Sequence, residues 1–204
     1  MQIYLTMPDS LFEQLPAERQ KFLADLKAVL ETSLVSAALI ERHDLSEGDY
    51  KDLVGQIAPI IQTHECALLL DGSPALVRDL KADGVHVTSG QRGFSEATNA
   101  LKPDFIVGAG NINSRHEAML RGEAGADYLS FGSPVRPPET EQIELAQWWS
   151  EMFEIPCVLF YPSTPLDRLV PIRCEFIGLG ENLWSDPAGP AAAIRTFAKG
   201  AGGS

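Results

Sequence analysis

The chain has 204 residues, 45% of them hydrophobic and 22% charged, the balance of a soluble globular protein built around one sizeable core. With 16 Lys and Arg against 28 Asp and Glu, the formal net charge is -12, a field that repels nucleic acid and anionic membrane surfaces. No apolar run reaches the ~20 residues of a membrane span, and the N-terminus lacks the basic-then-apolar order of a signal peptide, so a cytoplasmic protein is expected.

Short apolar runs recur along the chain, at residues 2–7, 34–40, 67–70, 84–87, 105–109, 128–132, 156–161 and 175–179. Each is too short for a buried helix and is closed by polar or glycine-bearing punctuation, and most lack period-two alternation, as strands buried on both faces do. Helical patterns fill the gaps. Residues 11–31 carry Phe22, Leu23, Leu26, Val29 and Leu30 on one face. Ser46 with Asp49, and Ser114 with Glu117, have the spacing of a capping box, and Ser73 precedes a proline at the first helical position. Pro187 and Pro190 open a last helix over 191–198, after which 200–204 read as a flexible tail. Cys66, Cys157 and Cys174 form no Cys-x-x-Cys pair and read as free thiols.

Eight strands alternating with helices fit a closed (β/α)8 TIM barrel or an open doubly wound sheet. The turn after the first strand is Pro8-Asp9-Ser10, without the glycine fingerprint of a dinucleotide fold, and about 25 residues per unit suit a small barrel. A single domain over 1–199 is expected, with its chemistry on the loops that follow the strands.

That rule turns the strands into a site list. Glu41, Arg42, His43 and Asp44 follow the second strand, and Asp71 with Gly72 follows the third. Gln91 and Arg92 come after the fourth, Asn111 and Asn113 after the fifth, Ser133, Arg136 and Glu139 after the sixth, and Tyr161 and Ser163 after the seventh. Glu41, His43 and Asp71 are acid/base candidates, although residues 41–44 read equally as a solvated turn. Asp71 over the barrel mouth is also a candidate Mg2+ ligand. Arg92 and Arg136 offer guanidinium forks for phosphate or carboxylate. Gly178 and Gly180, at the end of the eighth strand, stand where barrels bind phosphate through backbone amides. His86, inside Val85-His86-Val87, reads as a hydrogen-bonded structural histidine. Trp148-Trp149 with Phe153 reads as helix packing or a subunit contact, which makes a homodimer plausible.

Ala82-Asp83-Gly84-Val85-His86-Val87 and Gly125-Ala126-Asp127-Tyr128-Leu129-Ser130-Phe131-Gly132-Ser133-Pro134-Val135 resemble the fourth and sixth strands of thiamine phosphate synthases and the related TenI proteins, at the matching spacing. Weaker similarity covers Ile3-Tyr4-Leu5-Thr6, the Asp44-Leu45-Ser46 turn and the Asp186-Pro187 segment. The resemblance implies a (β/α)8 barrel that joins a hydroxymethylpyrimidine diphosphate to a thiazole phosphate and releases pyrophosphate, with Mg2+ on the leaving group. It implies a small phosphorylated substrate as partner, and Gln91, Asn111, Ser133 and Gly180 as substrate-contacting positions beside the arginines.

Aligned through Asp44-Leu45-Ser46, the family's Gln-x-Arg-x-Lys array falls on Leu39, Glu41 and His43, which exchanges two cations for a carboxylate and an imidazole. The Asn-Asp pair becomes Leu70-Asp71, the Gly-Gln-Glu-Asp turn becomes Gly90-Gln91-Arg92-Gly93, and the lysine after strand six is missing from Arg136-Pro137-Pro138-Glu139-Thr140. The Gly-Gly phosphate turn aligns with Tyr161-Pro162, and Ser133 takes the place of the TenI histidine. Three functions follow as expectations. The leading one is a thiamine phosphate synthase-like transferase; the others are a non-catalytic binding or regulatory paralogue on the same barrel, and an enzyme of changed chemistry using Glu41, His43 and Asp71.

Overall fold

The computed structural model describes residues 2–8, 11, 16–162 and 174–201. Eight parallel strands close into a barrel in sequence order: β1 (Gln2–Thr6), β2 (Val35–Ile40), β3 (Ala67–Asp71), β4 (Gly84–Val87), β5 (Ile106–Ala109), β6 (Tyr128–Phe131), β7 (Cys157–Phe160) and β8 (Phe176–Leu179), with β8 pairing back onto β1. The helices among the described residues are α1 (Pro16–Leu30), α2 (Glu47–Gln62), α3 (Pro74–Asp79), α4 (Gly90–Leu101), α5 (Arg115–Glu123), α6 (Thr140–Met152), α7 (Glu181–Trp184) and α8 (Pro190–Ala201). None of them is long and apolar enough to cross a membrane.

Strands with few polar residues still have two distinct faces. Outward side chains such as Leu5, Ile40, Leu68, Val85, Val107, Leu129 and Ile177 pack under the helices, whereas Tyr4, Leu39, Leu69, Tyr128, Val158 and Phe160 fill the barrel. Large aromatic rings inside so narrow a barrel need small neighbours. A Cβ on Gly108 would strike the Tyr128 ring, and one on Gly178 the Phe160 ring, so both glycines are required for space.

At the amino end of the barrel three acids act as latches. The carboxylate of Asp83, just before β4, accepts the Leu68 amide of β3 at 2.7 Å; Asp127, before β6, accepts the Val107 amide of β5 at 2.7 Å. Glu175, before β8, accepts the Cys157 amide of β7 at 3.0 Å. The acids of the two Ala-Asp motifs thus tie strand pairs together on the face opposite the loops that carry chemistry.

Helix starts follow the sequence signals closely. Ser46 accepts from the Asp49 amide, Ser73 from the Ala75 amide and Ser114 from the Glu117 amide. The Ser114 box differs in one respect, since the Glu117 carboxylate takes the amide of Asn113, one residue before the cap, at 2.8 Å. The last helix begins at Pro190 and takes in Gly200 and Ala201, two residues expected in the tail; 202–204 lie outside the described residues. Trp149 is buried and stacks on Phe153 at 4.0 Å, while the Arg115 guanidinium covers the Trp148 ring. The aromatic group is therefore helix packing in this chain.

Candidate functional site

A cavity of about 310 Å3 opens at the carboxyl-terminal mouth over β2 to β6. One wall comes from the ends of β2 and β3, with Leu39, Glu41, His43 and Asp71; the opposite lip is the loop after β6, with Ser133 and Arg136. Asn111 and Asn113 close the side between them. His43 and Asn111 both have left-handed backbones, with φ of 46° and 55°, a conformation in which asparagine and histidine are enriched among residues other than glycine.

The wall is braced from behind. Tyr50 of α2 donates its hydroxyl to the Ile40 carbonyl at 2.6 Å, which ties the end of β2 to the helix behind it. Burial raises the Asp71 carboxyl above the usual carboxylate range, against the opposing pull of the Arg42 backbone amide and the charges of His43 and Arg42. Among the described residues that line the cavity Arg136 is the one Lys or Arg, and it stands across from the acidic wall.

The floor is polar and its side chains are buried. His86 and Ser130 reach it from inside the barrel, only 2% and 1% exposed. The Nδ1 atom of His86 is 2.8 Å from the Tyr128 hydroxyl, which is 2.8 Å from the Tyr4 hydroxyl, and the Tyr128 and His86 rings stack. Burial lowers His86 to about 4 and keeps its imidazole neutral near pH 7. The same burial raises both tyrosines, with Tyr4 raised further by its neighbour Tyr128.

Glu41, His43, Asp71, Asn111, Ser133 and Arg136 are thus brought to one cavity. Four other expected contacts lie elsewhere. The Arg92 side chain is 92% exposed and pairs with Glu96 one turn along α4, an i,i+4 arrangement of surface residues. Gln91 accepts from Arg121. Gly178 makes room for Phe160, and a Cβ on Gly180 would strike the Thr6 hydroxyl. The Gly180 amide already donates to the Asn182 carboxamide at 3.1 Å, in a turn that continues into α7 rather than a loop. Ser163 lies outside the described residues. Sequence reading passed over Ser130 and the partners of His86, although Tyr4, Tyr128 and Ser130 are hydroxyl-bearing inward positions of otherwise apolar strands.

The implied Mg2+ finds little to hold it. Among the described residues no group of three His, Cys, Asp or Glu side chains is placed to bind a metal ion, and Asp71 by itself, with its carboxyl raised by burial, does not make an octahedral oxygen site. The residues present do not fit a protein-held metal.

A closed βα barrel with a polar cavity at the carboxyl ends of its strands has the architecture of a small-molecule enzyme. Residues 10–160 match the family model described as thiamine monophosphate synthase, and the chain belongs to that family. It is similar to a thiamine-phosphate synthase of Rhodospirillum centenum, 32% identical over 96% of this chain and 95% of that protein. A thiamine-phosphate synthase of Erythrobacter litoralis is 30% identical over 97% and 94%. Among solved structures, a thiamine phosphate pyrophosphorylase from Pyrococcus furiosus shares the fold with a TM-score of 0.76, at 18% identity over 98% of this chain and 96% of that one.

Proposed function

We propose that the protein is a synthase-type transferase of thiamine biosynthesis, which joins hydroxymethylpyrimidine diphosphate to thiazole phosphate in the β2–β6 cavity. The observation that carries this reading is the polarity of the cavity, with Glu41 and Asp71 on one wall and Arg136 on the opposite lip. The bond between the pyrimidine methylene and the diphosphate oxygen breaks, and its electron pair leaves with pyrophosphate. Positive charge develops on the methylene and negative charge on the leaving group, and the two sides of the cavity match those signs. The lone pair of the thiazole ring nitrogen then forms the new C–N bond.

Arg136 neutralises the leaving anion, and Asn111, Asn113 and Ser133 supply neutral hydrogen bonds to the substrates. No step is assigned to a metal held by the protein. Among the described lining residues one guanidinium stands where the family pattern has an array of cations, so turnover is expected below the ordinary range of about 1–10³ per second, since each missing contact to a developing charge costs about 2.7–4 kcal/mol.

Purified protein given both substrates should release pyrophosphate slowly and only when both are present. Release at an ordinary rate would overturn the charge argument. Binding of both substrates with no release at all would favour the second reading, a non-catalytic binding paralogue, which the scarcity of cations among the described lining residues also supports.

A further inference from the structure

A polar row runs through the barrel that the condensation leaves without a role. The Tyr4 hydroxyl, the Tyr128 hydroxyl and His86 Nδ1 are spaced at 2.8 Å and 2.8 Å, and His86 Nε2 lies 3.4 Å from the Ser130 hydroxyl at the cavity floor. Three proton arrangements make both short bonds. In one, Tyr4 donates to Tyr128, Tyr128 donates to Nδ1, and the imidazole proton sits on Nε2. In the other two, Nδ1 donates to Tyr128, and either Tyr128 donates to Tyr4 or Tyr128 also accepts from Tyr4; the remaining hydroxyl proton, of Tyr4 or of Tyr128, then has no further acceptor among the described residues. Tyr4 is 1% exposed, and a buried donor left unsatisfied shifts the balance by roughly tenfold or more. Hydrogen-bond counting therefore assigns the proton to Nε2.

The space above that nitrogen is kept open by Gly110. A Cβ there would stand 2.5 Å from His86 Nε2 and 2.9 Å from the Ser130 hydroxyl, closer than real contacts allow. The loss of a side chain at this position leaves the floor donor reachable from the cavity.

We infer that His86, held in its Nε2–H tautomer by Tyr128 and Tyr4, is a fixed neutral donor that seats the uncharged heteroaromatic ring of a substrate through a ring nitrogen. The choice of ring over phosphate follows from the charges. A phosphate at the floor would lie beside the Glu41 and Asp71 wall, while at the lip it meets Arg136. A neutral sp2 nitrogen suits a buried imidazole N–H and brings no charge against a buried group. Tyr4 and Tyr128 act through His86 and are positioning residues. The identity of the ring, and nothing else here, rests on the proposed function.

Two-dimensional NMR of protein labelled with 15N-histidine tests this directly. The chain has four histidines, and the His86 signals are assigned by their loss in His86→Asn. Nδ1 should appear unprotonated and Nε2 protonated in the wild type, and free hydroxymethylpyrimidine should shift the Nε2–H resonance while inorganic pyrophosphate leaves it in place. The carboxamide of His86→Asn reaches the Nδ1 position and can keep the Tyr128 bond, but places nothing at Nε2; that of His86→Gln reaches Nε2. Ring affinity should fall about tenfold in the first and be largely retained in the second. A protonated Nδ1 overturns the inference, as does no ring binding by the wild type, ring binding with an unmoved Nε2–H signal, or equal affinity in wild type and His86→Asn. The condensation assay judges the reaction separately. Pyrophosphate release with an unmoved signal keeps the reaction and discards the donor, whereas ring binding at Nε2–H without release keeps the donor and discards the reaction.

Discussion

Over β2 to β6 the mouth of the barrel is open and lined by polar side chains, whereas at the ends of β7, β8 and β1 the described residues spend their polar groups on hydrogen bonds with one another. There Thr6 donates to the Leu179 carbonyl at 3.2 Å, and the Asn182 carboxamide donates to the Tyr161 carbonyl at 2.6 Å while accepting from Gly180. The Asn182 amide donates to the Pro162 carbonyl, and the Trp184 indole donates to the Thr6 carbonyl at 2.8 Å. An amide already satisfied by its own chain is a poor anion ligand. Glycine at the end of a barrel strand therefore carries two different meanings here: Gly110 opens space over a floor donor, while Gly178 and Gly180 admit Phe160 and Thr6.

The largest effect that separates the halves is on the leaving group. Arg136→Ala should lower the rate of pyrophosphate release by about 10²–10³, the usual cost of losing a donor to developing negative charge. Arg92→Ala should change it less than twofold (roughly the reach of a screened surface pair), because its guanidinium is engaged with Glu96 outside the cavity. Equal losses in the two variants, measured at low salt, would mean that the anion site extends over α4 and that the division of the mouth is misplaced.

Next in size is a pH effect of the floor. His86 is lowered to about 4 when folded, while an unfolded histidine titrates near 6.5. Between those values the unfolded chain binds the extra proton, so stability falls as pH drops from about 6.5 to about 4, by about 3 kcal/mol in all. The Tyr128 and Ser130 hydroxyls that bond the ring bring no charge to offset this. Urea melts at pH 7 and pH 4.5 should show a smaller difference for His86→Gln than for the wild type; equal differences would place the imidazole in contact with water.

The strand count, the barrel and the three serine caps were legible because each is local. Apolar runs of strand length and serine at helix starts depend on neighbours a few residues away. The acidic wall was also legible, since Glu41, His43 and Asp71 follow directly from the rule that βα-barrel chemistry sits after the strands. Failures came where meaning depends on a distant partner. Nothing near Arg92 in sequence distinguishes a surface pair with Glu96 from a phosphate ligand, and nothing near Gly178 reveals the Phe160 ring behind it. His86 was read correctly as hydrogen-bonded, but its partner Tyr128 lies 42 residues away, and Tyr4 is separated from Tyr128 by 124. The acids of the Ala-Asp motifs show the converse, for they carry the family resemblance and yet latch the face opposite the cavity.

A third contrast concerns packing on the side of β7, β8 and β1. Gly178→Ala drives a Cβ into the Phe160 ring, and overpacking a filled barrel costs about 1–3 kcal/mol. Thermal melts should show that loss while pyrophosphate binding at the open side persists. A fall in pyrophosphate affinity with no change in melting temperature would restore Gly178 to the anion site.

The smallest effect distinguishes function from stability within the open half. Asp71 is raised by burial when folded, so the unfolded chain gives up this proton at a lower pH than the folded one. Its contribution to stability is fully present below the unfolded value of about 3.9 and is lost as pH rises through the higher folded value. At neutral pH the wild type therefore holds a carboxylate that burial disfavours. Asp71→Asn removes that charge and keeps the shape. The variant should melt slightly higher than the wild type at pH 7, with the difference vanishing as pH falls below the unfolded value. It should also lose pyrophosphate release, because the wall then faces the developing positive charge with one carboxylate fewer. A gain in stability with a loss of activity marks a residue retained for chemistry. A variant less stable at every pH would instead show that the hydrogen bond from the Arg42 amide outweighs burial, and that Asp71 holds the mouth together as the turns around Gly180 do.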